Sequence, residues 1–289
     1  MLKLNDVVLS FGKKRVLDHL NLEFKQGEII GLVAPNGTGK STLMNVILHN
    51  LTPQEGEVEY DGLKYQNQKM TMQLHQRICA FPEQSDLFGF MTGRDHLRLY
   101  ADLWHNQQKK VDDIIKLLQM GNYVDQKVQT YSLGMKQRLC FAMVVAADTP
   151  VMLLDEVMNG LDPQNVELIS KVLEQLRQEN KLIIIASHLL NNLQSYADRI
   201  LFLGHGHVIE DYRVKEKRDL YLKIRADQEV KDILGKIAYQ ELPDKMLLID
   251  SNKLTKEELG EMLSTLTKKQ IPYSFASVSV EDLFDKFYN

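Results

Sequence analysis

The chain has 289 residues, of which 44% are hydrophobic and 26% charged. That length suits one large domain, or one domain with a smaller companion, and the composition excludes disorder, collagen-like repeats and a disulfide scaffold. With 39 acidic and 35 basic side chains the formal charge is -4, so no global field draws a polyanion such as nucleic acid, and only local phosphate sites remain possible.

The opening segments Lys3 to Leu9 and Asn21 to Phe24 alternate apolar and polar residues, with Gly12 and Asp18 between them, and read as short antiparallel strands. They reach Asn5 and Asp6 before any apolar run long enough for a secretory signal. Glu28 to Val33 is nearly continuously apolar, the pattern of a strand buried on both faces of a parallel sheet. Val151 to Leu154 and Leu182 to Ala186 repeat it, each after a helix-like segment, which predicts an α/β core. Between about Arg94 and Ala147 no β run occurs, so helices are inserted there.

The longest apolar run, Leu139 to Ala147, is about half of the roughly 20 residues that cross a bilayer as a helix, so any membrane role must come through a partner. The cysteines, Cys79 and Cys140, lie in apolar stretches without metal-like spacing and fit buried thiols in a reducing cytoplasm. From Glu210 to Asp219 the chain is charge-rich and reads as a linker. A small α/β unit follows: Leu220, Leu222 and Ile224 alternate as a strand, Lys245 to Ile249 forms another, and a capping box at Thr255 and Glu258 opens a helix carrying Leu259, Met262, Leu263 and Leu266. It holds no catalytic constellation, which points to an accessory, regulatory or dimerising role.

Four segments carry chemistry. Ala34-Pro-Asn36-Gly37-Thr38-Gly39-Lys40-Ser41-Thr42 stands between a strand and a helix. Gly37 and Gly39 let backbone N–H groups face phosphate oxygens, Lys40 supplies a charge for the β and γ phosphates, and Ser41 suits Mg2+. Asp155 and Glu156 end an apolar strand and point to opposite sides, Asp155 to hold Mg2+ through water and Glu156 to polarise the water that attacks the γ-phosphate. Taken alone, such a pair is commonly two solvated acids. Tyr131-Ser132-Leu-Gly134-Met-Lys-Gln-Arg138 opens a helix with Ser132 at its N-cap, and by itself reads as a capped surface helix. His188 follows a strand, where a lone histidine is usually structural.

In this order and spacing the four segments resemble the ATP-binding subunit of ABC transporters over about residues 1 to 210. The resemblance implies a P-loop NTPase core with an antiparallel β subdomain. It divides the chain into an ATP-binding domain at 1–212 with a helical insert at about 88–147, a linker at 213–219 and an accessory domain at 220–289. It further implies that Phe11 stacks on adenine, that 159–162 form a D-loop and His188 a switch, and that ATP and Mg2+ are required. Two subunits, identical or paired, would dimerise head to tail so that Ser132 and Gly134 reach the γ-phosphate held by the other.

The departures narrow the comparison. Ala34 stands where the phosphate loop usually begins with glycine, Tyr131, Leu133 and Met135 replace three signature residues, and Val157 and Met158 follow Glu156 in place of proline and threonine. Alignment on Leu87 and Phe88 puts Glu83 at the position of the usual glutamine, as a further Mg2+ ligand. The combination is similar to bacitracin, lantibiotic and phenol-soluble-modulin export ATPases, which sit on the inner face of the membrane against a separate permease. Residues from Glu83 to about Tyr100 would line the groove toward that partner. A soluble ABC-type ATPase acting on ribosomes or DNA is the alternative, against which stand a single phosphate loop and no basic excess. A phosphoryl-transferring kinase would leave the signature and His188 without work.

Overall fold

The structure is a computed structural model describing residues 1–104, 110–214, 216 and 220–288, and its contacts divide the chain into two compact units, Met1–Val214 and Lys215–Asn289. In the first unit β1 (Leu2–Phe11) and β2 (Lys14–Phe24) form a long antiparallel hairpin. Gly12, at φ 60, makes the turn. Asp18 does not break the strands as the sequence suggested. It lies inside β2, where its N–H donates to Gly206 O at 3.0 Å and its carboxylate pairs with Arg15. Three register shifts absorb the irregular alternation that made the strands read short.

The second sheet contains β3 (Ile29–Val33), all five of whose residues are buried. The phosphate loop then leads into α1 (Lys40–Ile47). β4 (Glu55–Tyr60) and β5 (Leu63–Lys64) complete the hairpin's sheet in the order β2-β1-β4-β5. After α2 (Gln68–His75), β6 (Ile78–Ala80) joins the parallel sheet. Helices α3 (Gly93–Leu103), α4 (Val111–Leu117) and α5 (Leu133–Ala147) follow, with no strand between them among the described residues. Then come β7 (Val151–Asp155), α6 (Pro163–Gln178), β8 (Leu182–Ala186), α7 (Leu190–Tyr196), β9 (Arg199–Gly204) and β10 (His207–Arg213).

The six strands run in the order β10-β9-β3-β8-β7-β6, parallel except for the β9–β10 hairpin. Glu210 to Arg213 therefore belong to β10 and not to a linker. Asp211 and Arg213 are exposed on one face and Tyr212, 2% exposed, lies on the other, as on a strand with one face packed. Lys215 and residues 217–219 of the expected linker lie outside the described residues. Among the described residues no helix is long and apolar enough to cross a membrane. Cys79 and Cys140 are both buried as free thiols.

The second unit is built from β11 (Tyr221–Arg225), α8 (Gln228–Leu234), β12 (Gln240–Glu241), β13 (Met246–Asp250), α9 (Lys256–Lys268), β14 (Tyr273–Ala276) and α10 (Val280–Tyr288). Its sheet is antiparallel in the order β12-β13-β11-β14, the split βαββαβ arrangement, with α10 added at the end. Val230, Leu234, Met262 and Leu266 of α8 and α9 close its core on Leu222, Ile224, Leu247 and Ile249. The capping box of Thr255 and Glu258 forms as the sequence indicates.

Asp148 ends α5 in the left-handed conformation at φ 49, and its carboxylate meets Lys110 and Lys181, each at 2.7 Å. Burial works to raise this carboxyl's pKa, but hydrogen bonds from the two lysines outweigh burial and hold it below the ordinary 3.8. A depressed folded-state pKa adds stability that is complete above the unfolded value and is lost as pH falls through the folded one. Asp148→Asn should therefore cost about 1–2 kcal/mol at pH 7, less than a deeply buried pair because Lys110 is solvated. Urea denaturation should show the gap between the two proteins closing below about pH 4. A gap of unchanged size at pH 3 would mean that packing, and not charge, is what Asp148 supplies.

Candidate nucleotide site

The phosphate loop forms where the central strand β3 stops. Gly37 (φ 74) and Gly39 (φ 118) adopt left-handed conformations that side chains disfavour, so the two glycines permit the turn. At Gly39 an added Cβ would also meet Val16 Cγ1 at 3.0 Å. Thr38 Oγ1 donates to Pro35 O at 2.7 Å, which braces the loop from inside. The ammonium of Lys40, 8% exposed, donates to Ala34 O at 2.5 Å and Pro35 O at 3.2 Å. Burial pushes the Lys40 pKa down, and the charges of Glu156 and Asp155 work against that shift.

These residues open onto a cavity of about 390 Å³. The predicted Phe11, Asn36, Gly37, Gly39, Lys40, Ser41, Thr42, Asp155 and Glu156 all line it, with Phe11 half-exposed at the rim. Thr38 does not contribute to the lining, because its side chain is turned back into the loop. Lys14 and Val16 also line the cavity. No sequence motif marks these two. They reach it because the β1–β2 turn folds over the loop, where Lys14 Nζ donates to Gly37 O at 3.4 Å.

The acidic side is supplied by the end of β7. Ser41 Oγ donates to Asp155 Oδ2 at 3.2 Å. Burial pushes the Asp155 pKa above 3.8, the charges of Glu156 and Glu83 add to the rise, and the bond from Ser41 opposes it. Glu156 sits at φ 51, in the left-handed region, with its N–H donating to Ala186 O at 2.9 Å. Its Oε1 lies 2.9 Å from His188 Nδ1, while its Oε2 is buried without a hydrogen-bond partner. His188 itself stays outside the phosphate cavity and touches it only through Glu156. Glu83 borders a neighbouring cleft of about 430 Å³ with Gln84, Gln137, Asp155 and Glu156. Asp155, Ser41 and the nearby Glu83 present only oxygen donors, and three carboxylates outnumber the one buried ammonium. That donor set fits Mg2+.

Ser132 caps α5, its Oγ accepting from Met135 N at 3.3 Å. Neither Ser132 nor Gly134 lines the phosphate cavity of its own chain. Gln137, which the sequence reading passed over, is 5% exposed and donates to Glu156 O and Val157 O, both at 3.0 Å. Gln84 Nε2 in turn donates to Gln137 Oε1 at 2.5 Å. A lone glutamine inside the helix-opening Lys136-Gln137-Arg138 gave no signal for this role.

A glycine-rich loop between a central parallel strand and a helix, with a lysine at the helix start and an acidic strand end beside it, defines a P-loop nucleotide-binding protein. Residues 17–159 match the family model described as ABC transporter. The chain is 29% identical to an uncharacterised ABC transporter ATP-binding protein, YhcH of Bacillus subtilis, over 99% of this chain and 94% of that protein. It is also 29% identical to the bacitracin transport ATP-binding protein BcrA of Enterococcus faecalis, over 86% of this chain and 80% of that protein. A bacterial ABC transporter cassette solved as a dimer superposes with a TM-score of 0.67 at 25% identity, covering 75% of this chain and 100% of that one. The chain carries an ABC transporter ATP-binding cassette and is an ATPase.

The charge of Glu83 beside Asp155 has a direct consequence. Were a triphosphate bound here, that charge would add to the repulsion it feels without Mg2+ and would be offset with Mg2+. Glu83→Gln should keep ATP binding and relax the Mg2+ requirement of ATPase activity. The measurement is a Mg2+ titration of activity in both proteins, and superimposable curves would leave Glu83 as a cleft-wall residue only.

Proposed function

We propose that the chain is the ATP-hydrolysing motor of an exporter of peptides or drugs, working on a separate transmembrane permease. The observation that carries the catalytic part is the buried, unpartnered Oε2 of Glu156 at the edge of the phosphate cavity. A carboxylate oxygen kept out of water without a donor is costly unless the reaction supplies one, and the attacking water is that donor.

In this reading the loop amides and Lys40 hold the β and γ phosphates, the ammonium leaving its contacts with Ala34 O and Pro35 O. Phe11 stacks on the adenine, while Asn36, Thr38 and Thr42 shape the loop around the phosphates. Ser41 and Asp155, with Glu83 nearby, would hold Mg2+, which would supply neutralisation of charge on the phosphate oxygens. Glu156 takes a proton from the attacking water through Oε2, and His188 fixes the carboxylate from the side of Oε1. Ser132 and Gly134, away from their own chain's cavity, act on the γ-phosphate bound by a second subunit. Closing and reopening of that dimer is the motion delivered to the permease through the segment from Glu83 to Tyr100. The chain then resides in the cytoplasm, peripheral on the membrane's inner face. The 220–289 domain is an accessory, regulatory or dimerising unit. The bacitracin relative supports export of a peptide antibiotic as the transported class.

Two measurements test this. Glu156→Gln should lower turnover by about 10²- to 10⁴-fold while ATP still binds, and near-normal turnover would remove Glu156 as the base. Mixing Ser132→Arg with Lys40→Ala subunits creates one composite site with both defects and one with neither. The mixture should hydrolyse ATP faster than either parent, and activity no higher than the parents would count against action across the dimer.

A further inference from the structure

Gln137 projects from the second turn of α5 into a setting that only a neutral amide satisfies. Its two N–H groups are both spent on backbone carbonyls, those of Glu156 and Val157 at 3.0 Å each, and its oxygen accepts from Gln84 at 2.5 Å. A primary amide offers that inventory of two donors and one acceptor oxygen. A glutamate here would aim an anion at two carbonyl oxygens, and an apolar side chain would leave both carbonyls without this donor. The orientation is therefore fixed from both ends of the side chain.

What the amide holds is the peptide that carries Glu156. That residue's backbone is in the left-handed region, a conformation that is strained for a side-chain-bearing residue and persists only where the surroundings impose it. The surroundings here are Ala186 O on the Glu156 N–H, and Asn159 N and Gln137 Nε2 on the Glu156 carbonyl. Of these three partners, only Gln137 is in turn held by a residue of the 83–88 segment. Gln84 opens the short 3₁₀ turn Gln84–Asp86 directly after Glu83.

We infer that Gln137 is a positioning residue for ATP hydrolysis. It sets the Glu156 carboxylate by holding its peptide, and Gln84 sets Gln137, so that a displacement of the 83–88 segment is felt at Glu156 through two amides. This route differs from the one through Glu83 and the metal-binding side of the site. The inference deepens the proposed function and rests on Glu156 being the base. Because reacting groups must be held within a fraction of an ångström, a shift of about 1 Å in the peptide is worth about 10²-fold in rate. The nucleotide contacts come from other residues, so binding should be spared.

The test measures kcat and KM for ATP on the full chain carrying Gln137→Met, Gln84→Leu, or both. Gln137→Met should lower kcat by about 10- to 100-fold with KM within about twofold of the parent. Gln84→Leu should give a smaller fall of the same kind, and the double variant should be no slower than Gln137→Met, because both changes break one relay. Independent, multiplying losses would overturn the relay, as would kcat unchanged in either single variant or a fall in kcat matched by a rise in KM. Should Gln137→Met fail to fold, the half-buried Gln84→Leu decides alone: reduced kcat at intact KM supports the inference, and unchanged kcat overturns it. Glu156→Gln separates the two layers. If that variant turns over normally, the base assignment itself falls. If it is inactive while Gln84→Leu and Gln137→Met turn over normally, only the positioning role falls.

Discussion

The end of the parallel sheet sets Asp155 and Glu156 against the buried ammonium of Lys40, with the charge of Glu83 also felt by Asp155, and that imbalance governs the site. Burial lowers the Lys40 pKa and raises that of Asp155, while their mutual attraction opposes both shifts. Attraction between such partly desolvated charges contributes little net stability, since desolvation consumes most of the Coulombic gain. Its value lies in what it demands. Excess negative charge beside inward-facing loop amides is a poor resting arrangement and a good receptor for a phosphate chain together with a divalent cation. Sheet order makes the concentration possible: β3 and β7 are separated by β8 alone, so the phosphate loop and the acidic strand end open at the same carboxyl edge, where ligands bind in α/β sheets.

The features legible in the sequence are those in which cause and effect lie within a few residues. Gly37, Gly39 and Lys40 follow an apolar run, Asp155 and Glu156 end another, and Ser132 and Thr255 are caps whose partners lie three positions on. Features fixed by pairing partners far along the chain were not legible. Glu210 to Arg213 have a linker's composition, yet pairing with β9 makes them an edge strand around the buried Tyr212. β12 and β14 are short and mostly exposed, so no period marks them, and their places come from β13 and β11. Asp18 reads as a turn residue only until Gly206 is seen accepting from its N–H.

The same reasoning explains why Gln137 was passed over and Glu83 was not. Glu83 stands at a position that a motif comparison singles out, whereas Gln137 sits between Lys136 and Arg138 and reads as part of a charged helix surface. Its partners are 19, 20 and 53 positions away. Burial of a polar side chain is the signal that finds it, and burial is a property of the fold. Gln84 likewise changes meaning in three dimensions: its amide is committed to Gln137, while it is the charge of Glu83 that acts on Asp155.

Leu133 shows how a departure from the usual signature is accommodated. A leucine in place of glycine at the start of α5 puts an apolar side chain, 61% exposed, where the motif normally has none. Its Cδ2 lies 3.0 Å from where a Cβ on residue 160 would stand, and residue 160 is a glycine at φ 71 that would resist a side chain in any case. The adjacent Gly134 faces Leu161 in ordinary contact, with an added Cβ 3.8 Å from Leu161 Cδ2. The first turn of α5 therefore rests on the loop that follows Glu156, while one turn further on Gln137 holds the Glu156 peptide itself. Because the packed helix moves as a unit, these two contacts tie the start of α5 to the segment that carries Glu156.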